Sequence, residues 1–169
     1  MLKFQINDID AQRVLGKLVA AGQNLTPLMK SIGEGLADST KDRFQTSTAP
    51  DGSRWQQNAA STIVGYLSDF PGSFGKSGRL NKRGAARVLS KKPLIGISKE
   101  LSTTINYKAN ATGVEIGSPL IKASTHQSGR DPIGGFRARI PARPFLGLSQ
   151  GDQDLISDST LDYLESLVS

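Results

Sequence analysis

A chain of 169 residues without cysteine can bury a core of its own, but it cannot build a disulfide, a thiolate zinc site or a cysteine nucleophile. Its formal charge of +6 points to an acidic partner or to nucleic acid, and 18 glycines, 8 prolines and a 37% hydrophobic fraction point to a modest core with much irregular backbone. No apolar run approaches the ~18 residues that a membrane span needs, and residues 1–6 lack the apolar centre of a signal peptide.

Leu2, Phe4 and Ile6 alternate with polar residues, the period of a half-buried strand. Asp8 then precedes a helical stripe of Val14, Leu15, Leu18 and Val19 that ends near Gly22. Residues 24–26 form a break. Pro27 suits the first turn of a second helix, whose stripe of Met29, Ile32, Leu36 and, two turns on, Arg43-Phe44 runs to about Gln45. Gly33 and Gly35 each weaken that helix by about 1 kcal/mol relative to alanine, or else they admit another element close to its backbone.

Residues 46–99 differ in kind, with Pro50-Asp51-Gly52, Pro71-Gly72, Gly75, Gly78, Gly84 and Pro93 breaking any long period. Helical turns are expected near residues 59–67 and 85–89. A connection of about fifty residues far exceeds the handful usual in a compact domain, so this stretch reads as a functional extension or as a segment that orders on assembly.

Leu101, Thr103, Ile105 and Tyr107 alternate with polar residues, residues 108–112 form a turn, and Val114 and Ile116 alternate again, which predicts an antiparallel hairpin. A loop with Gly129, Asp131-Pro132 and Gly134-Gly135 follows. Phe136, Ala138 and Ile140 predict a short strand that Pro141 and Pro144 end. Ser149 and Asp152 have the spacing of a capping box before a last helix carrying Leu155, Ile156, Leu161, Leu164 and Leu167. Together these elements predict a single α+β domain over residues 1–169. It has a small antiparallel sheet with helices packed on one face, and a long irregular basic extension at about 46–99.

Few residues carry reactive chemistry. His126 is the single histidine and so the only conventional general base near neutral pH. Ser124, Thr125 and Asp131 are near it in sequence, but neighbours on an extended loop point in divergent directions, so a hydrogen-bonded loop or interface histidine is the preferred reading over catalysis, metal binding or pH sensing. The acidic groups Asp8 with Asp10, and Asp152 with Asp154 and Asp158, sit at expected helix starts, where carboxylates favour the helix dipole. No catalytic residue, cofactor or metal is expected.

Binding is better represented. Between residues 76 and 92 stand Lys76, Arg79, Lys82, Arg83, Arg87, Lys91 and Lys92 with no acid among them. They form a solvated basic loop, a docking element for an acidic protein surface, or a sequence-independent nucleic-acid contact. Phe70 and Phe74, just upstream, are the nearest aromatics that could stack on bases. Arg137, Arg139 and Arg143 would share one face of a strand, facing either water or carboxylates of a neighbouring subunit. Trp55, after Pro50-Asp51-Gly52-Ser53-Arg54, is a packing anchor or an intersubunit contact. Pro141 and Pro144 fix the backbone around Arg143, so that Phe145 and Leu146 either anchor a neighbouring subunit or lock the last helix onto the sheet. His126 and Gln127 offer polar groups for loop closure.

Several of these segments fall in a familiar order. Pro50-Asp51-Gly52-Ser53-Arg54-Trp55 matches a "PDG…W" element, and Ser61-Thr62 an "ST" pair. Ile116-Gly117-Ser118 matches "iGs", His126-Gln127-Ser128-Gly129 matches "HQ.G", and residues 140–149, IPARPFLGLS, match "iPaRpFLGls". The set resembles the phage virion-morphogenesis and tail-completion family over nearly the whole chain. Two segments depart from it. Residues 93–101 carry Ser98 and Lys99 where that family has an acid and Thr-Gly, and residues 65–92 are longer and richer in glycine and bases. The resemblance implies a small α+β protein without enzyme activity that helps complete the tail and join it to the head, often as a ring. Its partners would be further copies of itself and other neck, portal or tail proteins, with non-specific contact to phage DNA possible through residues 76–92 and no membrane contact. Its place would be the head–tail junction of the virion, reached from the host cytoplasm during assembly. A sequence-independent nucleic-acid-binding protein is the rival reading. The candidate partner-binding residues are Trp55, the seven bases of residues 76–92, His126, Gln127, Arg137, Arg139, Arg143 and Phe145.

Overall fold

The computed structural model describes residues 9–132 and 139–168. In chain order these form α1 (Ile9–Gln23), α2 (Thr26–Thr46), α3 (Ala60–Ser68), α4 (Lys82–Ser90), α5 (Glu100–Thr103), β1 (Asn106–Ala109), β2 (Val114–Gly117), α6 (Ile121–Ser128) and α7 (Gln150–Val168). The fold is α+β, its one described sheet being the antiparallel pair β1–β2. The expected strand at residues 2–6, and Phe136 and Ala138 of the expected strand before Pro141, lie outside the described residues. No described helix is long and apolar enough to cross a membrane.

The chain divides into two compact units: Met1–Ser39 with Asn106–Gly117 and Leu148–Ser169, and Thr40–Ile105 with Ser118–Gly147. Helix α2 supplies residues 26–39 to the first and 40–46 to the second. Its buried stripe is Leu28, Ile32, Leu36, Thr40 and Phe44, one residue in every four, the spacing that keeps side chains on one helical face.

In the first unit Leu28, Ile32 and Leu36 gather Leu25, Met29, Val114, Ile116, Ile156 and Tyr163 around them. The register pairs Tyr107 with Ile116 and Ala109 with Val114, so all four point from the same face of the hairpin. That face meets α2 where it has no side chain: a Cβ on Gly33 would stand 2.3 Å from Tyr107 Cδ2. Gly35 likewise accommodates Leu155 of α7. Both glycines therefore serve close approach. The hairpin turn is closed by Asn110, whose Oδ1 accepts from the Thr112 and Gly113 amides at 2.8 and 3.0 Å. The capping box of α7 is present as expected, with the Ser149 amide donating to Asp152 Oδ2 at 2.7 Å and the Asp152 amide to Ser149 Oγ at 3.2 Å.

Two helices keep apolar side chains in water. In α1, Val14 and Leu18 are half-buried while Leu15 and Val19 are exposed. In α7 the inward stripe is Ile156, Thr160, Tyr163 and Leu167, and the expected core residues Leu161 and Leu164 lie off it, exposed. Leu161 and Leu164 do not fall at the i, i+4, i+7, i+11 spacing of that stripe, so they point away from it.

In the second unit the stretch 46–99 holds the two helices expected there, α3 and α4, which pack on each other. Two expectations change. Residues 100–103 form one helical turn instead of the start of a strand. Leu101 and Ile105 are both buried, and a separation of four positions serves either period. The segment that contains His126 is helix α6, not an extended loop.

Replacing Gly33 by alanine is expected to lower stability by about 1–3 kcal/mol through overpacking against Tyr107, although alanine is the better helix former. Gly16→Ala in α1, where a Cβ meets open space, is expected to raise it by up to about 1 kcal/mol. Urea denaturation of the two variants measures the contrast.

Candidate functional site

The segment 140–147 organises the second unit. Ile140 pairs with Arg130 in an isolated antiparallel bridge, but Pro141 and Pro144 lack amide donors and end the pairing there, so most polar backbone groups beyond it take side-chain partners. Gln127, on the last turn of α6, supplies three bonds: its Oε1 accepts from the Phe145 and Leu146 amides, each at 3.0 Å, and its Nε2 donates to Leu146 O at 2.9 Å. Arg43, buried on α2, donates from Nη1 to Phe145 O at 2.8 Å and Gly147 O at 2.9 Å. Trp55 donates from Nε1 to Pro144 O at 2.7 Å. The Arg143 amide donates to His126 O at 2.7 Å.

Phe145 is fully buried against Phe44, ring centroids 5.3 Å apart, and Phe44 meets Trp55 edge-on at 5.4 Å. Trp55 is delivered by the turn 50–53, in which Asp51 Oδ1 accepts from the Ser53 amide and hydroxyl, and the Trp55 amide donates to Ser47 O. That hydrogen bonding holds the Asp51 carboxyl below its usual value. Gly147, at φ +145, lies against Pro50 where a Cβ would stand 2.9 Å from the ring. Three segments separated in sequence (50–55, 126–127 and 140–147) thus close on one another.

Arg143 turns inward. Its Nε donates to Gln56 O at 2.8 Å and its Nη2 to Gln57 O at 3.0 Å, and burial lowers its pKa. Arg139 is exposed and pairs with Asp131 at 3.4 Å, whereas Arg143 is buried, although both border the same cleft. Arg137 lies outside the described residues.

Beside Arg143 an open cleft of ≈ 910 Å³ is bordered by Lys91, Lys122, His126, Arg139 and Arg143, with Glu100 paired to Lys122. His126 Nδ1 is buried and has no hydrogen-bond partner among the described residues. Burial first, then Arg143 and Lys122, hold the His126 pKa below 6.5. The hydroxyl of Ser124 donates to Ile121 O at 3.0 Å and Asp131 faces Arg139, so neither is aligned on the imidazole. Among the described residues no group of three or more His, Asp or Glu could hold a metal ion.

The basic segment splits in two. Arg87 donates to Phe70 O, Pro71 O and Ser73 Oγ and lies over the Phe70 ring, Lys91 donates to Ile95 O beneath Tyr66, and Lys92 donates to Gln45 O at 2.7 Å. Lys76, Arg79, Lys82 and Arg83 are exposed, with no hydrogen bond or ion pair among the described residues. Arg43, which carries the segment 140–147, is on the expected stripe of α2, but sequence reading assigned it no role. Its only signal was a charge placed beside Phe44.

Truncation at Phe145→Ala is expected to cost about 3–5 kcal/mol, and Trp55→Phe, which strands the Pro144 carbonyl, about 1–3 kcal/mol, both read as shifts in urea midpoint. The lowered His126 pKa means that the unfolded chain takes up a proton which the folded chain resists. Stability is unaffected well above pH 6.5 and falls as pH drops below it. The urea midpoint is expected to decline between about pH 7 and pH 5, and to decline less in His126→Gln.

Comparison with curated proteins and with solved structures finds no match. Residues 6–165, nearly the whole chain, match the family model of phage virion morphogenesis, and the chain belongs to that family, which serves phage assembly.

Proposed function

We propose that this chain completes the phage tail and joins it to the head as a ring-forming structural subunit, acting through protein contacts and not through catalysis. The family match over residues 6–165 carries this reading. The geometry supports it: Trp55, Gln127, Arg143 and Phe145 use their polar and aromatic groups to hold residues 140–147, which yields a stiff scaffold. A stiff unit loses little freedom on association and so suits a component that must stack in fixed register. His126, Lys122 and Arg139 border an open basic cleft on that scaffold that a neighbouring protein can enter.

Mass spectrometry of purified virions is expected to find the protein, and deletion of its gene is expected to leave heads and tails unjoined. Light scattering on the pure protein is expected to give a mass of several protomers at high concentration. A strict monomer that binds neither heads nor tails would overturn the reading.

A further inference from the structure

Two surfaces of this chain are complementary in charge and both carry unpartnered apolar groups. The first is a tip formed by residues 73–83. Phe74 and Leu80 pair across a short hairpin, which the bonds Gly75 N to Arg79 O, Gly78 N to Gly75 O and Asn81 N to Ser73 O close. Arg87 braces its base on Ser73 and Phe70, and Asn81 caps α4 through the Gly84 amide at 2.9 Å. The tip is therefore built before any partner arrives. It leaves Phe74 42% and Leu80 44% exposed, and the unpaired Lys76, Arg79, Lys82 and Arg83 surround them.

Lys82 and Arg83 stand in the first turn of α4, where no acid is present and the helix dipole disfavours cations. Four like charges beside a helix N-terminus destabilise the free chain, and an external acid would relieve them.

The second surface is on α7. No lysine or arginine follows Arg143, and α7 carries Asp158, Asp162 and Glu165. Asp158, Leu161, Asp162 and Glu165 follow the i, i+3, i+4, i+7 spacing of one helical face, with Leu164 beside it. Leu161 is 58% and Leu164 43% exposed. Asp158 and Asp162 have no hydrogen bond or ion pair among the described residues.

We propose that the tip of one copy docks on the α7 face of the next, Phe74 and Leu80 meeting Leu161 and Leu164 while the tip cations pair with Asp158 and Asp162. The occupant of each surface is thus a second copy of this chain, and the inference rests on the ring-forming reading above. Because the two patches differ, the contact is heterologous: every copy has one of each, and repetition closes a ring when the rotation permits. Nucleic acid fits the tip less well, since a sugar-phosphate backbone offers Leu80 no apolar counterpart.

The test is a charge swap on the full chain, followed by light scattering over a concentration series. Arg79→Glu with Arg83→Glu is expected to weaken association at least ~10-fold, as is Asp158→Lys with Asp162→Lys, and the chain carrying all four changes is expected to regain it. Raising salt is expected to weaken the natural assembly, and Phe74→Ser or Leu161→Ser is expected to weaken it at any salt. Recovery in the fourfold variant also shows that neither pair of changes acts by unfolding. Assembly unaffected by either pair would overturn the docking and leave the ring-forming reading standing. A natural chain that stays monomeric overturns both. Loss of DNA binding in the tip variant with assembly intact would assign the tip to nucleic acid and overturn the proposal.

Discussion

Arg43 holds two carbonyls of the segment 140–147, and the rest of the second unit depends on that bond pair. Prolines at 141 and 144 stop the pairing that Ile140 begins with Arg130, and buried carbonyls without donors are costly. A guanidinium answers this because one planar group donates in several directions. Gln127 and Trp55 complete the set, and the Phe44–Phe145–Trp55 cluster excludes water around it. Each of these contacts is of modest strength alone. They reinforce one another because every donor sits on an element whose own position is fixed by packing.

The helices α1, α2 and α7, the hairpin turn and the capping box were legible in the sequence, because each is specified by residues close to one another. Asn110 closes its turn within three residues, and Ser149 finds Asp152 at the same distance. Residues 101–105 were ambiguous in principle, since Leu101 and Ile105 fit either period. Helix α6 gave no periodic signal because it buries little, Ile121 being 93% exposed and Ala123 its one buried residue. The roles of Arg43, Trp55 and Arg143 were beyond local reading, since their acceptors lie 86 to 104 positions away. A motif such as IPARPFLG announces that a backbone is fixed, but not what fixes it.

Function divides along similar lines. The segments whose sequence reads as a family resemblance, 50–55, 126–129 and 140–149, include Trp55, Gln127, Arg143 and Phe145, which build the scaffold. The stretch read in the sequence as departing from the family pattern, residues 65–92, also holds Lys76, Arg79, Lys82 and Arg83, exposed and without a hydrogen bond or ion pair among the described residues. An assembly protein can keep its frame while the surface that meets neighbours varies, because exposed charge contributes little to folding and much to choice of partner.

The distance along the chain from Arg43 to Phe145 has a consequence for biosynthesis. The carbonyls that Arg43 holds are among the last parts of that unit to leave the ribosome, 102 residues after the arginine itself. Until then Phe44 and Trp55 have no third ring to close over them, and a nascent chain stalled before residue 145 presents an open aromatic surface to the cytosol. The second unit thus gains its central contacts late, once residues 145–147 have emerged.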